Sequence, residues 1–170
     1  LRYGIPDFKL PKEILDRRIS QLEQEGITFK TKTIVGAIKE LEHGVHNDSL
    51  TEVRGEQLLK DYDAIVLAPG SESPRDLKLP GRALSGIYFA LDFLIAQNRE
   101  NNGDCPNPID VKGKNVVVIG GGETASDCIG VSIRKGAASV VQLDYHDELP
   151  ESVDLTLAWP EWRKIKRTST

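Results

Sequence analysis

The sequence contains no methionine, only two cysteines, and aromatic residues at 6% of its length. Two cysteines cannot build a disulfide framework, and Cys105 and Cys128 are too far apart for a C-x-x-C metal or redox motif. A natural chain starts with methionine and this one starts at Leu1, so it reads as a fragment of something longer. No apolar run approaches the roughly 20 residues that span a bilayer. The opening Leu1-Arg2-Tyr3-Gly4 has neither the basic n-region nor the apolar h-region of a secretory signal. Basic residues are not in excess either. A net charge of −4 leaves no electrostatic footprint for nucleic acid. With no membrane or nucleic-acid partner and little cysteine, a reducing cytoplasm is the expected setting.

What is present is 170 residues, 39% hydrophobic and 28% charged, enough for one ordinary domain or two small ones. The most informative stretch is Val116-Val-Val-Ile-Gly-Gly-Gly-Glu-Thr-Ala125. Four β-favouring apolar residues run into glycines, and a helical apolar stripe follows through Ala125, Cys128, Ile129 and Ile133, closed by Gly136. Gly120, Gly122 and Ala125 spell G-x-G-x-x-A, the fingerprint of a dinucleotide pyrophosphate site. Gly120 permits a tight turn, Gly122 lets the backbone approach the diphosphate, and Ala125 lets helix and strand pack closely. The helix start then offers N–H groups and the positive end of its dipole. The plain alternative is an ordinary strand–turn–helix. A second strand is expected over Ser139 to Leu143.

Elsewhere, Tyr3 to Pro11 reads as extended, followed by a helix from Pro11 to about Glu25 that stops at Gly26. Short strands are expected at Ile27 to Lys30 and Thr33 to Val35, a surface excursion from Gly36 to Leu50, and a helical turn at Glu56 to Lys60. Asp63-Ala-Ile-Val-Leu-Ala-Pro-Gly70 has a continuous apolar run, which predicts a buried strand ending in a tight turn. Ser85 is expected to cap a helix carrying Ile87, Ala90, Leu91, Leu94 and Ile95 on one face. Arg99 to Val111, rich in Asn, Pro, Gly and Asp, reads as a linker.

Four segments occur in one order: Tyr3-Gly-Ile-Pro-Asp-Phe-Lys-Leu-Pro-Lys12, the Ala68-Pro-Gly70 turn, Pro80-Gly-Arg-Ala-Leu-Ser-Gly86 with Ala90-Leu-Asp-Phe-Leu94, and Gly120-Gly-Gly-Glu-Thr-Ala-Ser-Asp-Cys128. Together they resemble the small (beta) subunit of glutamate synthase and its relatives, including the flavin half of dihydropyrimidine dehydrogenase. Trp159-Pro-Glu-Trp-Arg163 through Thr170 is similar to the glutamate synthase branch.

The resemblance implies an α/β chain of Rossmann-like dinucleotide-binding folds. Residues 1–110 would be a partial FAD-binding domain and linker, and 111–170 the N-terminal part of an NAD(P)H-binding domain. It further implies an electron-input oxidoreductase in which NADPH or NADH reduces FAD. Iron–sulfur clusters, held N-terminal to this region, would pass electrons to a large subunit that makes glutamate from 2-oxoglutarate and glutamine. The fragment alone is expected to be inactive and, with apolar faces uncovered, to self-associate. The alternatives are a related flavin oxidoreductase with another electron acceptor, or a nucleotide-binding module without redox chemistry.

The candidate cofactor-binding residues are Gly120, Gly121, Gly122, Glu123, Thr124, Ala125, Asp144, Arg167, Ala68 and Gly70. Thr124 can donate to a phosphate, while Glu123 suits either a contact to the nicotinamide end or a local capping role. Asp127 reads as a structural hydrogen-bonding residue. Asp144 follows the second strand at the offset of a ribose-binding carboxylate, which favours NADH. The basic cluster Arg163, Lys164, Lys166 and Arg167 suits a 2′-phosphate or a solvated helix face, so the choice of nicotinamide stays open. Ala68-Pro69-Gly70 matches the family's Ala-Thr-Gly near the flavin, although Pro69 lacks an N–H. His43 and His46 read as solvent-exposed, Cys128 as packing, Cys105 as exposed, and Trp159 with Trp162 as an interaction surface. No catalytic residue and no metal ligand are nominated, because cofactors themselves carry hydride transfer.

Overall fold

The structure is a computed structural model that describes residues 1–36, 50–71, 73–145 and 147. The excursion over Gly36 to Leu50, with His43 and His46, falls almost wholly outside the described residues. So do Trp159, Trp162 and the basic cluster ending in Arg167. The chain divides into two compact units, one of residues 1–16 with 85–170 and one of residues 17–84. The helix α1, Lys12–Gln24, runs across the division.

Residues 17–84 contain the remainder of α1, a parallel pair of short strands, β1 (Thr33–Val35) and β2 (Thr51–Val53), and the helix α2 (Gly55–Asp61). Pro11 immediately precedes α1, its carbonyl accepting from Ile14 N–H at 3.2 Å. Gly26 ends it with φ +92°, a value glycine adopts without steric cost, and Ile27 N–H closes the helix on the Leu22 carbonyl at 3.0 Å. Both helical expectations here match.

Two strand expectations do not. Ile27 to Lys30 is irregular and exposed, and Asp63 to Gly70 forms no strand. Val66 and Leu67 are 88% and 84% exposed. A doubly apolar strand needs a ladder on its edges and cover on both faces, and none of the described residues 17–84 is buried.

The other unit is built around β3 (Asn115–Ile119), α4 (Glu123–Arg134) and β4 (Ser139–Leu143), a βαβ arrangement whose parallel strands pair from Asn115↔Ser139 to Ile119↔Leu143. α3 (Ala90–Asn101) packs on α4. Phe93 and Leu94 of α3 meet Cys128 and Val131 of α4, together with Ile109 and Val111. Val116 and Val118 of β3 pack against this cluster. Leu94 is only 1% exposed. Burying a Leu side chain of this kind stabilises a fold by roughly 1.5–3 kcal/mol. The other sheet face carries Val117, Ile119, Val141 and Leu143, all exposed.

The expected β3, α4 and β4 therefore match, with Gly136 (φ +81°) ending α4. Of the expected stripe, Ala125 and Cys128 are buried, Ile129 is half-buried and Ile133 is exposed, while Asp127, Val131 and Ser132 are buried as well. α3 also starts later than expected. Gly86 has φ +86°, incompatible with helix, so Ser85 caps nothing and Phe89 becomes the N-cap residue. The stretch Arg99 to Val111 is not a free linker. α3 continues to Asn101, Asn107 Oδ1 accepts from Ile109 N–H at 2.8 Å, and Ile109 and Val111 enter the core. Tyr3 to Pro11 is a run of turns instead of an extended segment. The Pro6 carbonyl accepts from both Lys9 and Leu10 N–H at 3.0 Å.

Candidate dinucleotide site

The glycine turn lies at the carboxyl ends of β3 and β4, where open parallel sheets bind their ligands. It is pinned to β4 twice: Gly120 N–H donates to the Leu143 carbonyl and Gln142 Nε2 donates to the Gly120 carbonyl, each at 2.8 Å. Gly120 has φ +133°, a value that excludes most side chains, and a Cβ there would rest 3.8 Å from that of Ala125. The small pair lets strand and helix come together.

Gly122 is the N-cap residue of α4 and contributes no side-chain cap. A Cβ at Gly122 would meet nothing within 4 Å, so the backbone beside the helix start is open to a ligand. The first turn of any α-helix leaves N–H groups without intrahelical acceptors. These features fit a diphosphate.

Asp144 meets this turn from the end of β4. A Cβ on Gly121 would overlap its carboxylate, lying 2.9 Å from Oδ1 and closer still to Cγ and Oδ2. The absence of a side chain at Gly121 is therefore what seats Asp144 beside the phosphate loop. Glu123, Thr124 and Ala125 follow in the first turn of α4, so seven of the candidate residues converge. Ala68 and Gly70 lie in the other compact unit, residues 17–84. Their stretch is exposed, and a Cβ at Gly70 would touch nothing within 4 Å. Arg167 lies outside the described residues.

Sequence reasoning missed two contributors. Gln142 pins the turn, and Lys9 reaches α4 from the N-terminal segment. Its Nζ lies 2.6 Å from Asp127 Oδ1 and 3.4 Å from Glu123 Oε2. Burial works to lower the Lys9 pKa, but hydrogen bonds and charge from Asp127 and Glu123 outweigh it and raise the value. Asp127, expected as a structural hydrogen-bonding residue, is instead the close ion-pair partner of Lys9. The only available signal for Lys9 was its place in the Tyr3 to Lys12 segment.

Cys128 is buried against α3, and burial, aided by the Asp127 charge, pushes its thiol up to about 11. That makes it a packing group, not a nucleophile. Cys105 is exposed. Among the described residues no cluster of three or more His, Cys, Asp or Glu suits a metal, and no helix is long and apolar enough to cross a membrane.

The model of the pyridine nucleotide-disulphide oxidoreductase family matches residues 3–158. The chain belongs to this family. Within the pyridine nucleotide-disulphide oxidoreductases it is similar to the glutamate synthase [NADPH] small chain of Mycobacterium tuberculosis, 38% identical over 99% of this chain and 33% of that protein. The glutamate synthase [NADPH] small chain of Bacillus subtilis is 37% identical over 95% of this chain and 30% of its own length. Glutamate synthase [NADH] of Schizosaccharomyces pombe is 39% identical over 98% of this chain and 8% of its own length. The chain spans about a third of the length of the small chains it matches. The resemblance to glutamate synthase small subunits extends along nearly the whole chain, and family membership agrees with an α/β oxidoreductase fold of parallel strands.

Proposed function

We propose that this chain is the nicotinamide-dinucleotide-binding stretch of a glutamate synthase electron-input subunit. The observation that carries the reading is the seating of Asp144 against Gly121 at the open mouth of the β3–α4 turn. In this reading the main-chain amides from Gly120 to Ala125 hold the diphosphate. Thr124 donates to a phosphate oxygen, and the Asp144 carboxylate accepts from the adenosine ribose. The bound dinucleotide supplies the hydride. The residues of this chain bind and orient it, and none acts as acid, base or nucleophile.

Residues 1–110 then belong to the flavin side and 111–170 to the nicotinamide side. In the whole protein, hydride passes from NADPH or NADH to FAD, with Ala68 and Gly70 near the flavin. Electrons continue through iron–sulfur clusters to a large subunit that forms glutamate from 2-oxoglutarate and glutamine. The names of the relatives support this assignment. The choice between NADH and NADPH lies with Asp144 and the basic cluster ending at Arg167. The exposed sheet face supports self-association of the isolated chain, and a cytoplasmic setting follows from the metabolic role.

The test is calorimetric titration of the folded chain with NADH and NADPH. Saturable binding of at least one is expected. No binding of either by a chain with native circular dichroism overturns the assignment. In the full-length protein, anaerobic NADH or NADPH should bleach the flavin.

A further inference from the structure

We infer that Lys9 is a positioning residue of the dinucleotide site, cancelling carboxylate charge at the start of α4 so that this helix end can accept a diphosphate. The inference rests on the dinucleotide reading above. α4 opens with Glu123 in its first turn and carries Asp127 one turn on. The helix dipole attracts these carboxylates as it attracts phosphate, so the two compete for one field. A diphosphate approaching two uncompensated carboxylates meets repulsion from both.

Lys9 resolves the conflict from far away in the sequence. It lies 114 positions before Glu123, yet its ammonium touches both carboxylates. Asp127 is the buried side of this bridge, its side chain 10% exposed, while Glu123 at 73% stands on the rim by the glycine turn. The segment bearing Lys9 is held on both sides. Phe8 fills the notch at Gly130, where a Cβ would come 2.6 Å from its ring, and the Arg134 guanidinium stacks 3.7 Å over that ring. Asn98 Nδ2 donates to the Tyr3 and Ile5 carbonyls at 2.6 and 3.2 Å. Lys12 Nζ donates to the Ile5 carbonyl at 2.7 Å. The ammonium is thereby delivered to one place, between Glu123 and Asp127.

ADP-ribose tests this, because it keeps the diphosphate and lacks the nicotinamide that Glu123 could contact. Lys9→Met should weaken ADP-ribose binding to the full chain about tenfold, the order expected of one unit charge acting over several ångströms near a protein surface. Lys9→Arg should keep the wild-type affinity. Glu123→Gln added to Lys9→Met should recover most of the loss, which a merely structural lysine would not allow. Lys9→Gln provides the same readout if Lys9→Met does not fold, with folding checked by circular dichroism. Wild-type affinity in the charge-removing variants, or a loss that Glu123→Gln does not recover, overturns the inference and leaves the dinucleotide reading intact. Failure of the wild-type chain to bind NADH, NADPH or ADP-ribose sinks both.

Discussion

Replacing Gly121 by alanine isolates the contact to which the proposed reading assigns cofactor choice. Gly121 lies outside the left-handed region, so the substitution adds a methyl group without backbone strain. That methyl would occupy the space of the Asp144 carboxylate, within 2.9 Å of Oδ1 and nearer to Oδ2. The carboxylate must leave its seat. If it is the acceptor for the adenosine ribose, NADH loses a charge-assisted hydrogen bond of about 1.5–3 kcal/mol. Its affinity should fall about ten- to a hundredfold. For NADPH the same displacement removes a negative charge facing the 2′-phosphate, so binding should hold or tighten. The ratio of NADH to NADPH affinity should therefore drop at least about tenfold. Parallel titrations that follow reduced-nicotinamide fluorescence measure this directly. An unchanged ratio in a folded variant, or equal weakening of both nucleotides, refutes the role assigned to Asp144. Equal weakening would mean that Gly121 serves only backbone approach.

Two other outcomes follow from the same packing. Iodoacetamide at neutral pH should label exposed Cys105 and spare Cys128, whose thiol is pushed up to about 11. Equal labelling of the two in peptide mass spectra would show that the α3–α4 contact opens readily. The Lys135 ammonium at 2.9 Å and the Asn107 N–H at 3.1 Å hold the Glu100 carboxyl below its usual range. A group whose pKa is lowered by folding stabilises the fold at neutral pH and loses that contribution as pH falls through the folded-state value. Glu100→Gln should therefore shrink the fall in urea midpoint between neutral pH and about pH 3, and a fall equal to wild type contradicts the pairing.

The βαβ arrangement was legible because its signals are local. A four-residue apolar run, three glycines and the stop at Gly136 each act within a few positions, and the structure agrees at β3, α4 and β4. The seat of Asp144 was half legible. Its offset from Gly120 was readable, but only the folded pair of strands brings it onto Gly121. Lys9 was not legible as a site residue, since nothing near position 9 marks a partner at 123 or 127. The strand expected over Asp63 to Gly70 failed for a related reason. Apolar residues indicate that a segment gains from burial without saying what buries it, and here Val66 and Leu67 meet solvent. α3 starts late because the chain is left-handed at Gly86 and still extended at Phe89, against the apolar spacing that follows Ser85.

The unit holding the glycine turn is discontinuous, with residues 1–16 separated from 85–170 by the whole of 17–84. During synthesis residues 1–16 emerge before Asn98, Asp127 and Gly130, which anchor them. Closing so long a loop carries an entropic cost that grows only slowly with its length. Insertions within 17–84 should therefore be tolerated far better than any change that loosens residues 1–12, which Asn98, Gly130 and Asp127 hold in place.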